Sequence, residues 1–458
     1  MSIDILTDEA FLEIFSFYLV EESENIEPWI PLVHVCRRWR SIVLASPRCL
    51  DVQVFYTPNR PVKMMLDTWS NIPIQISALR HQGSRWQGES KSNVIAALEH
   101  ADRIRQIQLD GSCPELEQIL PAMQKPFPAL THLAMGYSDY TYRRPMAVLS
   151  QSFLGGSAPH LRSCQFSAVE FPGIWKLLLT ANHLVTLILR NIPDSMHTSP
   201  EEMVTFLSTM SHLETLFIAF QPHQSLCNWY DQPNRPRVAL PSLTNFRFQA
   251  MGEYIEDFVS RIDAPLLHTV KIAFFYQPVF NTPRLHDFLA RIEMYKAASR
   301  GYVEFQGSFV KFGLELEALS FVLAILCRRI DQQVSSMTQL CSSSLRFLST
   351  LKHLDIRGSH LVPFVYRQHE VEDLDIQWLD LFRPFTSLKD LRLRGGIVQY
   401  YVFALRDLSG ERLAEVLPEL QNLFIQGPTG IQEALEQFVA ARQLSGSPIV
   451  LHSWDGLS

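Results

Sequence analysis

The sequence has neither the basic charge typical of a nucleic-acid binder nor an apolar run long enough to cross a bilayer. Its formal net charge is −7 and its pI is near 6.1, whereas a general nucleic-acid binder is basic. The longest apolar run, Phe321 to Cys327, has the length of a strand and is far shorter than the ~18 residues that span a membrane. A secretory signal begins with a basic segment, whereas this sequence has Asp4, Asp8 and Glu9 near its N-terminus. We therefore expect no nucleic-acid partner, no membrane partner and no secretory signal.

Cysteine is scarce and follows no pattern. The seven cysteines are widely spaced, odd in number and include no C-x-x-C pair, so the sequence predicts neither a disulfide framework nor a zinc module. An N-glycosylation acceptor is also missing, since Asn281 and Thr282 are followed by Pro283. Thiols without a framework and the missing acceptor favour a reducing compartment, which is the cytoplasm, the nucleus or both.

Motifs of nucleotide-binding and hydrolytic enzymes are absent as well. The sequence contains no G-x-x-x-x-G-K, no G-x-G-x-x-G and no G-x-S-x-G. His369 begins a segment like a zinc-protease helix, but Asp373 stands where that helix requires its second His. The residue before the first apolar position is a histidine in three consecutive repeats of the pattern described below: His160, His183 and His212. These histidines are expected either to stack as a ladder of imidazoles on neighbouring strands or to be ordinary polar residues at the junction of loop and strand. We expect no enzyme: no catalytic residue, no metal and no cofactor.

The sequence does contain a repeated phrase of the form apolar-x-x-apolar-x-apolar. Apolar residues make up 47% of the chain, which is enough for a large core. The phrase recurs every 23 to 31 residues in its first run, the spacing of leucine-rich repeats with one strand and one return segment each. The phrases begin at Ile104, Leu130, Leu161, Leu184, Leu213, Leu243, Leu267, Leu351, Val371, Leu388 and Leu420. This pattern predicts an irregular, leucine-rich-repeat-like parallel solenoid over residues 51–458.

The segments between the phrases have helical patterns. Ser199 and Glu202 form a capping box, with Pro200 at the first helical position. Strand, helix and strand running in one direction require right-handed crossovers, so the predicted fold class is α/β with a parallel sheet. The repeat is interrupted at about 273–350, where strand patterns follow one another too closely for helical returns. These patterns lie at 302–305, 308–316 and 321–326. A local hairpin is expected there.

The first predicted domain, residues 1–50, has a helical pattern instead. Its first helix carries an apolar stripe after a predicted N-cap at Thr7. The members of that stripe are Phe11, Ile14, Phe15, Tyr18 and Leu19. A second helix after Pro31 carries a stripe formed by Leu32, Val35, Cys36, Trp39, Ile42 and Val43. Two short helices cannot bury this much apolar surface alone, so part of it is expected to meet a partner.

This segment resembles an F-box. The resemblance is carried by Leu6-Thr7-Asp8-Glu9 with Leu12-Glu13-Ile14-Phe15, and by Leu32 to Arg40 with its Val-Cys-Arg-Arg-Trp core. The continuation to Ser46-Pro47-Arg48 is similar to F-box proteins of mushroom-type fungi. The resemblance implies a helical hairpin that docks on the Skp-type linker subunit of cullin-RING ubiquitin ligases. The implied linker-binding residues are Leu6, Thr7, Phe11, Leu12, Ile14, Phe15, Leu32, Val33, Val35, Cys36 and Trp39.

The function that this resemblance implies is a substrate-recognition adaptor of an SCF-type ligase, acting in protein ubiquitination through a cullin partner. Two features depart from the family: Thr7 replaces its usual Pro, and the loop at 21–27 is longer and more acidic. They favour an alternative, a repeat-based interaction scaffold with a degenerate F-box that joins no ligase.

A target-binding surface is predicted from strand alternation. The apolar residues that flank the last variable position of each phrase point into the core, so that position points to the opposite face. In four consecutive phrases it is occupied by Ile188, Phe217, Arg247 and Lys271. An apolar pair beside two cations suits a target peptide with an aromatic and an acidic side chain. The alternative is that Phe217 is an ordinary core residue under a loop.

Overall fold

The computed structural model describes residues 6–21, 29–46, 54–56, 72–78, 88–137, 147–222, 237–292, 298–315, 319–358, 375–406, 408, 415–426 and 430–453. In these residues the chain is a mixed α/β protein whose strands are mostly parallel, as the fold-class prediction states. Its contacts divide it into two compact units. The first is Met1–His197 with Thr209–Leu213, and the second is Thr198–Ser208 with Glu214–Ser458.

Three helices begin the first unit: α1 (Asp8–Glu21), α2 (Ile30–Val35) and α3 (Arg37–Ala45). The predicted N-cap is confirmed, since the Ala10 N–H donates to Thr7 Oγ1 at 3.3 Å. The prediction of a single second helix is wrong, because the extended backbone of Cys36 (φ −156°, ψ 171°) ends α2 and begins α3. Most of the acidic loop and the predicted domain boundary at residue 50 lie outside the described residues.

The sheet of the first unit is parallel and follows the repeated phrase. Its strands, in spatial order, are β1 (Val54–Tyr56), β2 (Ile74–Ala78), β3 (Ile104–Gly111), β4 (His132–Tyr137), β6 (Ser163–Ser167) and β8 (Thr186–Ile192). The short strands β5 (Ala147–Val148) and β7 (Val169–Glu170) pair with each other. The helices along this part of the chain are α4 (Gly88–Leu98), α5 (Cys113–Ile119) and α6 (Ile174–Leu178). Leu133 pairs with Ile107 and Cys164, and Cys164 pairs with Leu187, so equivalent phrase positions stack in the core.

The second unit begins with α7 (Pro200–Leu207), whose predicted capping box is confirmed. Ser199 Oγ accepts from the Glu202 N–H at 3.1 Å, and Glu202 Oε2 accepts from the Ser199 N–H at 3.2 Å. The strands of its sheet, in spatial order, are β9 (Thr215–Phe220), β11 (Asn245–Ala250), β13 (Thr269–Phe275), β16 (Ser320–Leu326), β15 (Phe309–Glu315), β14 (Arg300–Gln306), β17 (His353–Gly358), β18 (Asp390–Gly395), β19 (Asn422–Gln426) and β20 (Val450–Ser453). A separate short pair is β10 (Val238–Ala239) with β12 (Ile262–Asp263).

Helices connect most of these strands. They are α8 (Gly252–Ser260), α9 (Pro283–Ala290), α10 (Ile330–Ser344), α11 (Asp375–Asp380), α12 (Val398–Arg406) and α13 (Gly430–Leu444). Short 3-10 helices of the two units lie at Leu120–Met123, Phe153–Gly156, Asp194–Met196 and Arg346–Thr350. The register again follows the phrase, since Phe246 is opposite Leu216 on one side and Val270 on the other.

The predicted interruption of the repeat is confirmed at β14, β15 and β16. The strand β15 pairs antiparallel with both of its neighbours, while β16 pairs in parallel with β13, and β14 in parallel with β17. A parallel connection needs a crossover of a dozen or more residues. The links between these three strands are far shorter, so the chain turns back on itself.

One predicted repeat is wrong. The phrase that begins at Val371 predicts a strand, but residues 375–380 form α11, and β17 pairs directly with β18; residues 371–374 lie outside the described part. Trp378 of α11 is fully buried, with its ring 4.6 Å from that of Tyr401 in α12. Packing in the helical layer therefore overrides the local apolar pattern at this point.

The two faces of the sheet in the second unit have different surroundings. Helices cover one face: the Phe248 ring lies 4.6 Å from that of Phe258 in α8, and the Phe305 ring lies 5.4 Å from that of Trp378. The intervening residues point to the opposite side and are mostly half-buried or exposed. We call this opposite side the outer face. It displays three of the four positions at which target-binding residues are predicted, namely Phe217, Arg247 and Lys271.

Candidate interaction surfaces

An aromatic cluster joins the first and the third of the N-terminal helices, α1 and α3. The Phe15 ring lies 4.8 Å from that of Trp39, and the Phe11 ring lies 5.7 Å from each of them. Tilted and edge-on ring pairs of this kind add about 0.5–1.5 kcal/mol beyond burial. Val33 of α2 and Val43 of α3 are fully buried as well. The aromatic cluster thus fixes α1 against α3.

Arginine side chains strengthen the same arrangement. Arg38 Nη2 donates to Asp8 Oδ1 at 2.9 Å, and the Arg38 guanidinium lies 4.9 Å from the centroid of the Phe11 ring. Arg40 Nε donates to the Val33 carbonyl at 2.9 Å and so bridges the break between α2 and α3. The side chain of Cys36 accepts from the Trp39 N–H, as an N-cap does.

The predicted linker-binding residues divide into two sets. Buried or half-buried residues are Phe11, Leu12, Phe15, Leu32, Val33 and Trp39. Exposed residues are Leu6, Thr7, Ile14, Val35 and Cys36. The exposed fractions of Leu6, Ile14 and Val35 are 37%, 48% and 58%, so these three are available to a partner. Leu32 and Val33 are buried, at 6% and 0% exposed, and their role as linker contacts stays a prediction.

Phe17 belongs with the exposed set but is not among the predicted residues. It is 69% exposed and lies three residues after Ile14 on α1, so the two share a face of the helix. The signal was an aromatic residue between the stripe positions Phe15 and Tyr18. Position 17 lies outside the apolar stripe, so a search limited to the core of the helix leaves it out.

Three of the four predicted target-binding residues lie together on the outer face. Arg247 of β11 is opposite Phe217 of β9 on one side and Lys271 of β13 on the other. All three side chains are half-buried, and the Arg247 guanidinium lies 6.0 Å from the centroid of the Phe217 ring. Phe217 is therefore not an enclosed core residue. Ile188 belongs to the first unit, where it is opposite Gln165 of β6.

Arg247 and Lys271 carry positive charge that no described carboxylate offsets. Neither makes an ion pair with any residue that the structure describes, and Arg247 Nε donates to the neutral Asn245 Oδ1 at 3.4 Å. Partial burial, followed by the nearby charges of Arg247 and Lys311, lowers the pKa of Lys271. This part of the outer face therefore carries two cations without a carboxylate partner among the described residues.

Lys311 of β15 joins this group but is not among the predicted residues. Its strand is separated from β13 only by β16. Lys311 Nζ lies 2.9 Å from Glu304 Oε2 and 5.8 Å from the centroid of the Tyr302 ring. Alternation along 308–316 places Lys311 on the outer face, but its nearness to Lys271 depends on the antiparallel turn between them.

Elsewhere on the outer face the described acidic side chains are paired within the protein. Asp355 is only 8% exposed and accepts from Arg357 Nε at 3.0 Å and from Arg394 Nε at 3.1 Å. His353 Nδ1 lies 2.6 Å from Asp390 Oδ2. These carboxylates bind neighbouring strands together and leave the excess of positive charge at Arg247 and Lys271.

Two cysteines of the described part of the chain lie in the core, where burial changes their acidity. Burial raises the pKa of Cys164 and of Cys327 to about 12, so neither is a thiolate near neutral pH. The rings of His183 and His212 lie 6.0 Å apart. No group of three or more His, Cys, Asp or Glu side chains that could hold a metal ion occurs among the described residues.

In comparisons with protein-family models and with curated proteins, no significant match to the sequence was found. Among the described helices, none is both long enough and apolar enough to cross a bilayer.

Proposed function

We propose that this protein is a substrate-recognition adaptor of an SCF-type cullin-RING ubiquitin ligase. In this proposal α1, α2 and α3 form an F-box-like hairpin that binds the Skp-type linker and, through it, a cullin. The strand–helix repeats form a leucine-rich-repeat-like solenoid that binds a target protein. The observation that carries the proposal is the exposure of Ile14, Phe17 and Val35 on α1 and α2, the helices that precede Trp39 of the aromatic cluster.

Exposed apolar side chains on such a small segment support a protein partner. Burial of apolar surface contributes about 25 cal/mol per Å², and contiguous exposed apolar surface on a folded protein commonly marks an interaction site. The core formed by Phe11, Phe15 and Trp39 holds the helices in place without using these exposed side chains. Partner binding can therefore add burial without rearranging the helices.

The outer face of the second unit supplies the proposed target site. Phe217 offers an apolar contact beside the cations of Arg247 and Lys271. An adaptor needs no active site of its own, because it raises the effective concentration of the target near the transfer machinery. The reaction then belongs to other subunits of the ligase.

Affinity purification of the tagged full chain, followed by mass spectrometry, tests this function. We expect the Skp-type linker and a cullin in the eluate, and we expect both to disappear with the double variant Ile14→Arg and Val35→Arg. A variant with Leu444→Arg, which changes a 90% exposed leucine of α13, is the matched control. An eluate from the unchanged protein that contains targets but no linker would favour the alternative, a repeat scaffold outside the ligase.

The alternative is favoured by Thr7, which departs from the family pattern. Thr7 caps α1 through its hydroxyl group, a role that proline cannot perform because it has no side-chain acceptor. The N-terminus of α1 is therefore stabilised by a side-chain cap at the position where the family usually has proline. Thr7→Pro measures its effect: tighter linker binding by this variant would mean that the natural sequence has weakened the docking function.

A further inference from the structure

Arg247, Lys271 and Lys311 form a group of cations on the outer face, which we call the cation cluster. They belong to β11, β13 and β15. Lys311 is paired with Glu304 at 2.9 Å, whereas the other two have no carboxylate partner among the described residues. Partial burial, and then the charges of both neighbours, lower the pKa of Lys271. Such uncompensated repulsion does not help folding, and arrangements of this kind concentrate at binding sites.

The residues next to the cation cluster on the outer face have small apolar side chains, and we call this part of the surface the floor. Val322 of β16 is opposite Lys271, and Ala324 of the same strand is opposite Lys311. Ala273, two residues after Lys271, is opposite Ala324. The long cationic side chains therefore rise beside short apolar ones. A polypeptide segment can lie on this floor with its acidic groups next to the ammonium and guanidinium groups.

Aromatic rings border the floor at both ends. Phe217 lies beside Arg247 at one end. At the other end the Tyr302 ring lies over Gly313, since a Cβ added to that glycine would meet Tyr302 Cζ at 2.5 Å. Tyr302 is held there by Arg357, whose guanidinium lies 4.9 Å from the ring centroid. The surface thus combines positive charge with two apolar edges.

We propose that the cation cluster and its floor bind an acidic polypeptide segment in which closely spaced carboxylates are accompanied by a large apolar side chain. The proposal rests on the proposed function in one respect only, that the segment belongs to the target. Neighbouring strands lie about 4.8 Å apart and an extended chain advances about 3.3 Å per residue. Carboxylates two to four residues apart can therefore reach Arg247, Lys271 and Lys311 together, while the apolar side chain contacts Phe217.

A polypeptide fits this surface better than a nucleic acid does. The outer face also carries the carboxylates of Glu315 on β15, Glu304 on β14 and Asp355 on β17. A nucleic acid has a negative charge at every phosphate, so a strand extending past the cluster would meet these acids. A short acidic segment places its charges only where the cations are.

Selection from a library of random 12-residue peptides displayed on phage tests the proposal. The full chain is the bait, and the double variant Arg247→Gln and Lys271→Gln is used for counter-selection. We expect enrichment of peptides with two or more Asp or Glu residues near an aromatic or large aliphatic residue. The best peptide should lose affinity by about tenfold or more on the double variant, and the loss should shrink as salt is raised.

Two controls keep the test independent of folding. Arg392→Gln removes an exposed cation of β18 on the same face, five strands from Lys271, and should leave the affinity unchanged. The amide twin of the best peptide, with Gln and Asn in place of its acids, should bind the unchanged protein about tenfold more weakly or worse. Enrichment of neutral or basic peptides, equal binding of the amide twin, or the same affinity for a single-stranded oligonucleotide of equal charge would overturn the proposal.

Binding of the linker to the same proteins is measured in parallel, so that failure of the cation-cluster proposal can be told apart from failure of the proposed adaptor function. Loss of acidic peptides with normal linker binding would leave the adaptor function in place and remove this site. Selection of acidic peptides by a chain that binds no linker would support the site and contradict the adaptor function.

Discussion

The carboxylate of Glu256 in α8 accepts a hydrogen bond of 2.8 Å from the backbone N–H of Leu285 in the first turn of α9. It accepts a second, also of 2.8 Å, from the N–H of Arg284. The first amides of a helix have no partner within that helix, and here a buried side chain of the preceding helix supplies one. Glu256 thereby joins two successive repeats of the second unit.

Removal of this carboxylate should destabilise the second unit. Glu256→Ala leaves one buried and one partly buried amide without this acceptor, so we expect the free energy of unfolding to fall by about 2–4 kcal/mol. Urea unfolding followed by circular dichroism measures the change. Glu253→Ala alters an exposed residue of the same helix and should cost less than about 0.5 kcal/mol. Equal losses in the two variants would show that the link between α8 and α9 is not stabilising.

The titration of Glu256 should also make the stability of the protein depend on pH. Burial raises the pKa of Glu256, and the hydrogen bonds from Leu285 and Arg284 lower it only in part. A folded-state pKa above the unfolded value of about 4.3 means that the folded protein holds this proton more tightly. The contribution of Glu256 to stability is therefore greatest in acid and falls as pH rises from about 4 through the folded-state pKa.

Comparison with Glu256→Gln isolates this effect, since glutamine does not titrate. The stability of the unchanged protein relative to the variant should decrease as pH rises through that interval. Unfolding free energies at a series of pH values supply the measurement. A difference that stays constant, or that grows with pH, would mean that the two amides outweigh burial and hold the carboxylate ionised.

Lys271→Met should leave the fold intact or slightly stabilise it. The substitution removes a partly buried cation that lies near Arg247 and Lys311 without a carboxylate partner. After allowance for screening by solvent, we expect a gain of no more than about 0.5 kcal/mol, seen as a small rise in Tm. Lys311→Met is the matched variant: it breaks the ion pair with Glu304 and should cost about 0.5 kcal/mol. A larger loss from Lys271→Met would mean that Lys271 is a structural residue.

The exposed apolar residues of α1 and α2 should decide linker affinity. Ile14→Arg with Val35→Arg should weaken linker binding at least about tenfold, equivalent to about 1.4 kcal/mol, because charge replaces apolar contact at the proposed interface. The melting curve should not change, since neither side chain belongs to the core around Phe11 and Trp39. Titration of each variant with purified linker supplies the affinities. Undiminished binding would place the interface elsewhere.

Much of the parallel sheet could be predicted because the apolar residues of each phrase occupy equivalent positions in their strands. Leu216, Phe246 and Val270 therefore stack in register as expected. The phrase at Val371 failed because an apolar pattern records burial without recording conformation. In that segment burial is achieved by a helix that packs Trp378 against Tyr401.

The candidate surfaces were less predictable, for two physical reasons. The break at Cys36 depends on one extended residue that begins a new helix, and it turns Val35 from a predicted stripe position into an exposed one. The approach of Lys311 to Lys271 depends on which strands pair across an antiparallel turn. Neither relation is a local property of the residues involved, so hydrophobic periodicity could not reveal it.

The affinity of the purified full chain for a purified Skp-type linker tests the adaptor function most directly. Isothermal titration at two temperatures, with size-exclusion chromatography of the mixture, gives both affinity and stoichiometry. We expect a one-to-one complex with a Kd of about 1 µM or tighter, and a negative heat-capacity change because apolar side chains are buried. An absence of binding heat at both temperatures, with separate elution of the two proteins at concentrations of tens of µM, would contradict the assignment of this chain to an SCF-type ligase.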